Sequence, residues 1–342
     1  MITPFSLRLK QPLSTAHGDI TERRGFIFRI DRNGTVGVGE ATPLPGWTER
    51  YDECETALTT YANTDATAPD PTTHPACAHA IESAELDAAA RQNGCSLAAY
   101  LRKTVFGRLS GRDAIPLNAT IGAETTEKTV NQAIAAVENG FRCLKLKMGV
   151  SNPEDDLDRA RAVRDVVGET IAIRVDVNGG WDRETATDCL PTLAAIDIEY
   201  LEQPLPAGDI EGHTMLRERG AVPIAVDESL QRASVTELIA ADAADVLVLK
   251  PMVLGGPKQT ARAAQTAQEH GLDVVVTTTI DAAVARTTAA HVAAAIPRCR
   301  PCGLATGSFL VEDVVADPLT ITDGALCLPD TTGIFDGFIQ SI

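Results

Sequence analysis

Five short apolar segments of this 342-residue chain end on charged residues, and their spacing leaves few folds open. They are Leu144-Lys145-Leu146-Lys147, Arg174-Val175-Asp176-Val177-Asn178, Tyr200-Leu201-Glu202-Gln203-Pro204, Ala225-Val226-Asp227-Glu228-Ser229 and Val248-Leu249-Lys250-Pro251. Lys147 to Asp176 is 29 positions, with 26 more to Glu202, 25 to Asp227 and 23 to Lys250. One strand, one helix and their loops need about that many residues, so the cadence is that of a parallel β/α barrel. Buried strands exclude charge from their middles, so a charge at each carboxyl end predicts a site on the top face of the barrel. The set runs lysine, acid, acid, acid, lysine. Three carboxylates converging from neighbouring strands repel one another unless a cation sits between them.

The length exceeds the roughly 250 residues typical of a barrel, which predicts an additional domain. Residues 1–110 read as an α+β domain. Phe5 to Lys10, Gly25 to Asp31 and Val36 to Glu40 are strand-like, with a hairpin turn at Arg32-Asn33-Gly34. Helical stretches are predicted at 53–63, 75–92 and 96–103, with a loop at 66–73. Residues 111–312 read as the barrel. Its strand candidates are 116–120, 143–148, 172–177, 200–202, 224–227, 246–250, 274–278 and, as the eighth, 303–307. Helices are expected at 126–139, 153–167, 183–195 and 256–270. Ser151-Asn152-Pro153 is a helix start, and Gly140, Gly220 and Gly271 each close a helix. Residues 313–342 alternate again and are expected to return to the first domain.

Composition narrows the function. Thirty basic against 47 acidic residues give a net charge of −17, which argues against a nucleic-acid surface. No apolar run approaches the roughly 20 residues of a membrane span. Met1 to Gln11 lacks the pattern of a secretory signal, so a cytoplasmic location is expected. Lysine occurs only at 10, 103, 128, 145, 147, 250 and 258, and three of these belong to the strand-end set. A surface that avoids lysine and favours Asp, Glu and Thr suggests adaptation to high salt, a halophilic origin; an ordinary acidic enzyme is the alternative. The eight cysteines are read as reduced thiols. Cys299-Arg300-Pro301-Cys302 has CxxC spacing without a second ligand pair, and the six histidines form no zinc motif.

Asp176, Glu202 and Asp227 supply three hard oxygen ligands, which suit Mg²⁺, with Mn²⁺ as a substitute, better than zinc. Lys147 and Lys250 flank them. A lysine near a metal and another lysine has its ammonium form disfavoured and can serve as a base. A cation there would hold a substrate carboxylate and stabilise the enediolate left when an α-proton departs. Lys145 lies on the same strand face as Lys147, as its tuning partner or as a plain ion-pair donor to an acid. Asn178 and Glu228 are expected to support the ligands through hydrogen bonds. Taken singly, any of these acids could instead cap a helix or pair with an arginine.

In this order, KxK, DxN, EQP, DES and KP, the chain resembles the muconate-lactonising subgroup of the enolase superfamily over nearly its whole length. Within the subgroup, three stretches look like the o-succinylbenzoate synthases of menaquinone biosynthesis. They are Gly39-Glu40-Ala41-Thr42-Pro43-Leu44-Pro45-Gly46-Trp47, Leu249-Lys250-Pro251-Met252-Val253-Leu254-Gly255-Gly256 and Thr277-Thr278-Thr279-Ile280-Asp281. The resemblance implies a (β/α)7β TIM-like barrel with an N-terminal α+β capping domain completed by the C-terminal segment. It implies a lyase that performs a metal-dependent syn dehydration of 2-succinyl-6-hydroxy-2,4-cyclohexadiene-1-carboxylate. Lys147 would abstract the proton and Lys250 would stabilise the enediolate from the opposite face. Loops around His17-Gly18-Asp19 and Pro43 to Trp47 would close over the substrate, with Trp47 touching it or packing the domain interface; Thr277 and Gly303 are further expected neighbours. N-succinylamino acid racemases and muconate-type cycloisomerases share this machinery, and dipeptide epimerases do too, but no Asp-x-Asp occurs at 303–307. Gly333-Ile334-Phe335 departs from the glycine-leucine-glycine of many relatives. A barrel that keeps the metal without catalysis is the reading of another class. The expected partner is a small carboxylate, with no nucleic acid and no membrane; a homo-oligomer stays open.

Overall fold

The computed structural model describes residues 1–336 except 16, 17, 65, 66, 109, 110 and 113, with 13–15, 18 and 19 in backbone only. Strands β1 (Ile2–Thr15), β2 (Gly18–Arg32) and β3 (Thr35–Ala41) form an antiparallel sheet in that order. Asn33 and Gly34 turn β2 into β3 at φ 56° and 80°, the twist-matched hairpin turn these two residues favour. Helices α1 (Tyr51–Asn63), α2 (Pro75–Gln92) and α3 (Leu97–Thr104) follow. Gly37 and Gly39 let α2 lie directly on β3, because a Cβ at either would collide with the Ala84 or Ala80 carbonyl.

Seven parallel strands then build the barrel: β5 (Ala119–Ile121), β6 (Cys143–Lys147), β7 (Ala172–Asp176), β8 (Ile198–Glu202), β9 (Ile224–Val226), β10 (Val246–Leu249) and β11 (Asp273–Val276). They are hydrogen-bonded in chain order, the order of a singly wound β/α barrel. The outer helices are α4 (Thr126–Glu138), α5 (Pro153–Val167), α6 (Arg183–Ala195), α7 (Ile210–Glu218), α8 (Val235–Ala240), α9 (Pro257–Glu269) and α10 (Ala283–Ala295). Gly140, Gly220 and Gly271 close α4, α7 and α9 with positive φ. Strand side chains are mostly apolar and buried, but charge also lies inside the strands: Lys145 on β6, and Arg174 on β7 paired with Glu199 on β8 at 2.6 Å.

Two sequence expectations are corrected here. The first barrel strand is not continuous over 116–120. Pro116 cannot donate to a ladder, and the chain divides around Leu117: β4 (Ala114–Pro116) leaves the barrel while β5 joins β6. The eighth strand is not 303–307 either. Closure rests on isolated bridges, Leu117 with Cys302 and Thr277 with Gly303, and residues 305–309 turn as a 3₁₀-helix. Gly303 and Gly307 mark close approach, since a Cβ would press on Thr277 Oγ1 and on the Arg286 guanidinium respectively. All eight cysteines are free thiols; Cys299 and Cys302 Sγ stand 3.4 Å apart beside the closure.

The C-terminal hairpin, β12 (Thr320–Thr322) with β13 (Ala325–Cys327), pairs with β4. The chain then reaches the N-terminal helices. Gly333 bridges Ser96, and Arg91 donates to the Phe335 carbonyl at 2.8 Å. Among the described residues no helix is long and apolar enough to cross a membrane.

Candidate active site

Parallel register sets the site. Lys147 pairs with Asp176 and Asp176 with Glu202 as Cα neighbours, so three charged residues form one row at the carboxyl ends of β6, β7 and β8. Lys145 Nζ reaches Asp176 Oδ2 and Glu202 Oε1, each at 2.9 Å. Lys147 Nζ donates to Asp176 Oδ2 at 2.6 Å and to Asn178 Oδ1 at 2.7 Å. Asp227 and Lys250 follow β9 and β10, and Lys250 Nζ contacts the two Asp227 oxygens at 2.6 and 2.5 Å. The structure thus brings together Lys145, Lys147, Asp176, Glu202, Asp227 and Lys250, with Asn178 and Glu228 joined to them. Asn178 donates from its backbone to Asp176 Oδ1 and from its side chain to Glu228 Oε1.

Electrostatics divide the acids. Burial works against the charge of Asp176, yet Lys145 and Lys147 outweigh it and hold its carboxyl well below the usual range. Burial, reinforced by the Asp176 charge, pushes Glu202 up to about 7. Burial likewise raises Asp227 to about 6 against the pull of Lys250. For Lys145, burial favours the neutral amine, but Asp176 and Glu202 prevail and hold its pKa well above the ordinary value. Lys145 is therefore a fixed cation clamped between two acids.

Among the described residues no three acids, histidines or cysteines form a ready-made metal cage; the acids are closed on lysines instead. The donor set still fits a hard cation. Glu202 Oε2 is buried without a hydrogen-bond partner, beside a second carboxylate whose charge it resists. A buried carboxylate oxygen left unpaired is costly, and a divalent cation among oxygen ligands removes that cost.

Gln203, which the sequence reading passed over, holds the row in shape. It sits at φ 42° just past β8, with its side chain fully buried. Its Oε1 accepts the Asp227 and Ser229 amides, and its Nε2 donates to Ser229 Oγ and the Leu205 carbonyl. A glutamine immediately after a strand-end acid was the available signal. Trp47 lies with its ring centroid 3.4 Å from Lys250 Nζ. Thr277 and Gly303 are bonded to each other, Thr277 Oγ1 to the Gly303 carbonyl at 2.9 Å, which spends both on barrel closure. His17 and the Asp19 side chain lie outside the described residues, so the expected His17-Gly18-Asp19 loop does not enter the site description.

The model of the "Enolase C-terminal domain-like" family matches residues 128–334. An o-succinylbenzoate synthase from Thermobifida fusca is 37% identical over 219 residues, 63% of this chain and 67% of that protein. The match thus spans about two thirds of that relative's length. A chloromuconate cycloisomerase from Cupriavidus pinatubonensis is 28% identical over 345 residues, covering 95% of this chain and 91% of the other. Among solved structures, the dipeptide epimerase from Methylococcus capsulatus, complexed with Mg and the dipeptide L-Arg-D-Lys, superposes with a TM-score of 0.85. It shares 27% identity and covers 98% of each chain.

Proposed function

Because this chain belongs to the enolase C-terminal domain-like family, a family whose relatives named above are enzymes, we propose that it is an o-succinylbenzoate synthase. The substrate would be 2-succinyl-6-hydroxy-2,4-cyclohexadiene-1-carboxylate. The observation that carries this reading is a pair of lysine ammonium groups at opposite ends of a buried acid row, Lys147 on Asp176 and Lys250 on Asp227. Similarity to the Thermobifida synthase, higher than to the cycloisomerase, supports the choice of substrate.

In this reading Asp176, Glu202 and Asp227 hold Mg²⁺, or Mn²⁺ in its place. The bound cation supplies a Lewis acid for the substrate carboxylate. Lys147, two-thirds buried and steadied by Asn178, would lose its proton beside the bound cation and, as the neutral amine, take the proton α to that carboxylate. It then returns the proton to the departing hydroxyl, which leaves as water from the same face. Lys250 carries positive charge to the other face, where negative charge develops as the α-proton is lost. Lys145 keeps Asp176 ionised and holds Glu202 in line through a hydrogen bond. Residues 1–110 cap the mouth, 111–312 form the barrel and 313–342 complete the cap.

A second reading, racemisation of N-succinylamino acids or muconate-type cycloisomerisation, draws on the near-full-length match to the cycloisomerase. It uses the same two lysines. A barrel that merely stores a cation needs neither. The test is to incubate the purified chain and Mg²⁺ with the cyclohexadiene acid and, separately, with single-enantiomer N-succinyl amino acids. Aromatic product in the first arm, abolished by a chelator and restored by Mg²⁺, is expected. Turnover confined to the second arm would overturn the assignment.

A further inference from the structure

The indole of Trp47 faces the same ammonium that Asp227 binds. It is brought there by a fastened turn. Trp47 donates its amide to the Leu44 carbonyl at 2.9 Å across Pro45 and Gly46, and Gly46 takes φ 95°, the geometry of a type II turn. Thr48 Oγ1 accepts the Leu44 amide at 2.8 Å. On the upstream side, buried Arg23 donates to the carbonyls of Thr42, Pro43 and Ile280, which ties this turn to the segment after β11. Downstream, Glu49 accepts the amides of Ala76 and Cys77 at the start of α2. An indole so anchored is a fixed feature of the wall, although half-buried.

We propose that Trp47 is the positioning residue for Lys250, holding its ammonium in place when Asp227 is given over to a divalent cation. The inference rests on the functional reading above. Lys250 is buried, and in the structure its charge is answered by Asp227. A carboxylate that ligates a metal no longer pairs fully with an ammonium, and the metal itself repels the lysine. A second carboxylate in that place would compete for the metal. An aromatic ring does not, because its negative face attracts an ammonium without offering a hard oxygen ligand. Trp47 thus lets Lys250 release Asp227 without swinging away from the face where substrate charge develops. The part of the chain that supplies this ring is the N-terminal segment, so the cap contributes to placing a barrel lysine.

The experiment compares wild type with Trp47→Tyr, Trp47→Phe and Trp47→Leu, each also in a Lys250→Ala background. Mg²⁺ affinity is read by calorimetry, and kcat and KM with the cyclohexadiene acid. The expected order of kcat is Trp, then Tyr and Phe, then Leu. The Leu variant should fall by about 10- to 100-fold, as for loss of a desolvated cation–π contact. Mg²⁺ affinity and KM should stay within about threefold of wild type, and no further loss is expected when Lys250 is already Ala. Trp47→Leu with an unchanged kcat, a loss confined to KM, or losses that add to Lys250→Ala would overturn the role of Trp47 alone. Wild type that binds no Mg²⁺ would overturn the proposed function and the hand-over together. Intrinsic fluorescence provides a readout independent of turnover: Lys250→Met is expected to change the Trp47 contribution, and an unchanged emission would rule out the contact.

Discussion

At the scale of the residue, the acid–lysine row does two jobs with three lysines. Lys145 and Lys147 share one oxygen of Asp176, but Lys145 is clamped by a second acid while Lys147 leans on the neutral Asn178. Lys147→Ala is expected to abolish turnover with substrate binding retained. Lys250→Ala should lower kcat by about 10²-fold or more. Lys145→Ala should strengthen cation affinity, since it frees two acids from a competing ammonium, and affect kcat less. Exchange of the α-proton with solvent deuterium, in substrate analogues that cannot eliminate, separates these roles. Exchange that survives Lys147→Ala would move the base elsewhere. Five of the six charged residues were legible because they recur at the carboxyl ends of successive strands. Lys145 was legible from its place two residues before Lys147, and the pair that buried Arg174 makes with Glu199 inside β7 and β8 was not. Gln203 and Arg23 were not, because each acts through bonds to backbone: Gln203 on a turn 24 residues away and Arg23 on Ile280, 257 positions distant.

Among elements, the N-terminal part grips the barrel by helix starts. Glu40 on β3 accepts the Ala282 and Ala285 amides of α10, and Glu82 on α2 accepts the Lys258 amide of α9. Carboxylates at helix N-termini satisfy orphan donors and meet the positive end of the dipole. The other end of α10 is held through His291. Its Nδ1 accepts the Ala98 amide at 3.3 Å, which leaves Nε2 as the donor to the Ile334 carbonyl at 2.7 Å. That arrangement needs the neutral ring, and burial lowers the His291 pKa to about 4. Between about pH 6.5 and 4 the unfolded chain therefore binds a proton that the fold refuses, so stability declines as pH falls through that window. The decline should be on the order of 3 kcal/mol by linkage. His291→Gln, which cannot titrate there, should show a shallower loss in denaturant melts at pH 6.5 and 4.5; equal slopes would refute the assignment. Helices α1 to α6 and α9 and the six strands β6 to β11 were legible from their periods. Helix α8 was not, although Ser234 and Glu237 form a capping box, because six residues carry too little periodicity.

Across the whole molecule, the −17 charge sets the dominant long-range field. Ion pairs absorb some of it locally, as where Arg286 meets Asp313 and Asp317, but the acidic excess remains spread over the surface. Screening shortens the reach of self-repulsion to about 3 Å at 1 M salt. The melting temperature is therefore expected to rise from low salt to molar KCl, and a flat or falling trend would favour an ordinary acidic enzyme. This reading came from composition and needed no fold. The path of the last 30 residues was only partly legible. Their alternation was visible, but their pairing with β4 depended on a strand of three residues that the sequence merged with its neighbour.

Barrel closure by two isolated bridges also bears on the order in which the molecule opens. Around most of the circumference a strand is held by a ladder on either side, whereas at Cys302 and Gly303 the wall hangs on a few bonds, such as Gly303 N to the Val276 carbonyl. That line is a seam. Its amides from Leu304 to Phe309 should trade hydrogen for deuterium well before those of β6 to β10, and mass spectrometry of the exchanging protein can resolve the two. A seam is also where length can change without disturbing register elsewhere. Insertions or deletions within Leu304 to Phe309 would leave β6 to β10, and the charges at their ends, where they stand, whereas just beyond them the chain is fastened again, Leu310 to Leu9 and Asp313 and Asp317 to Arg286.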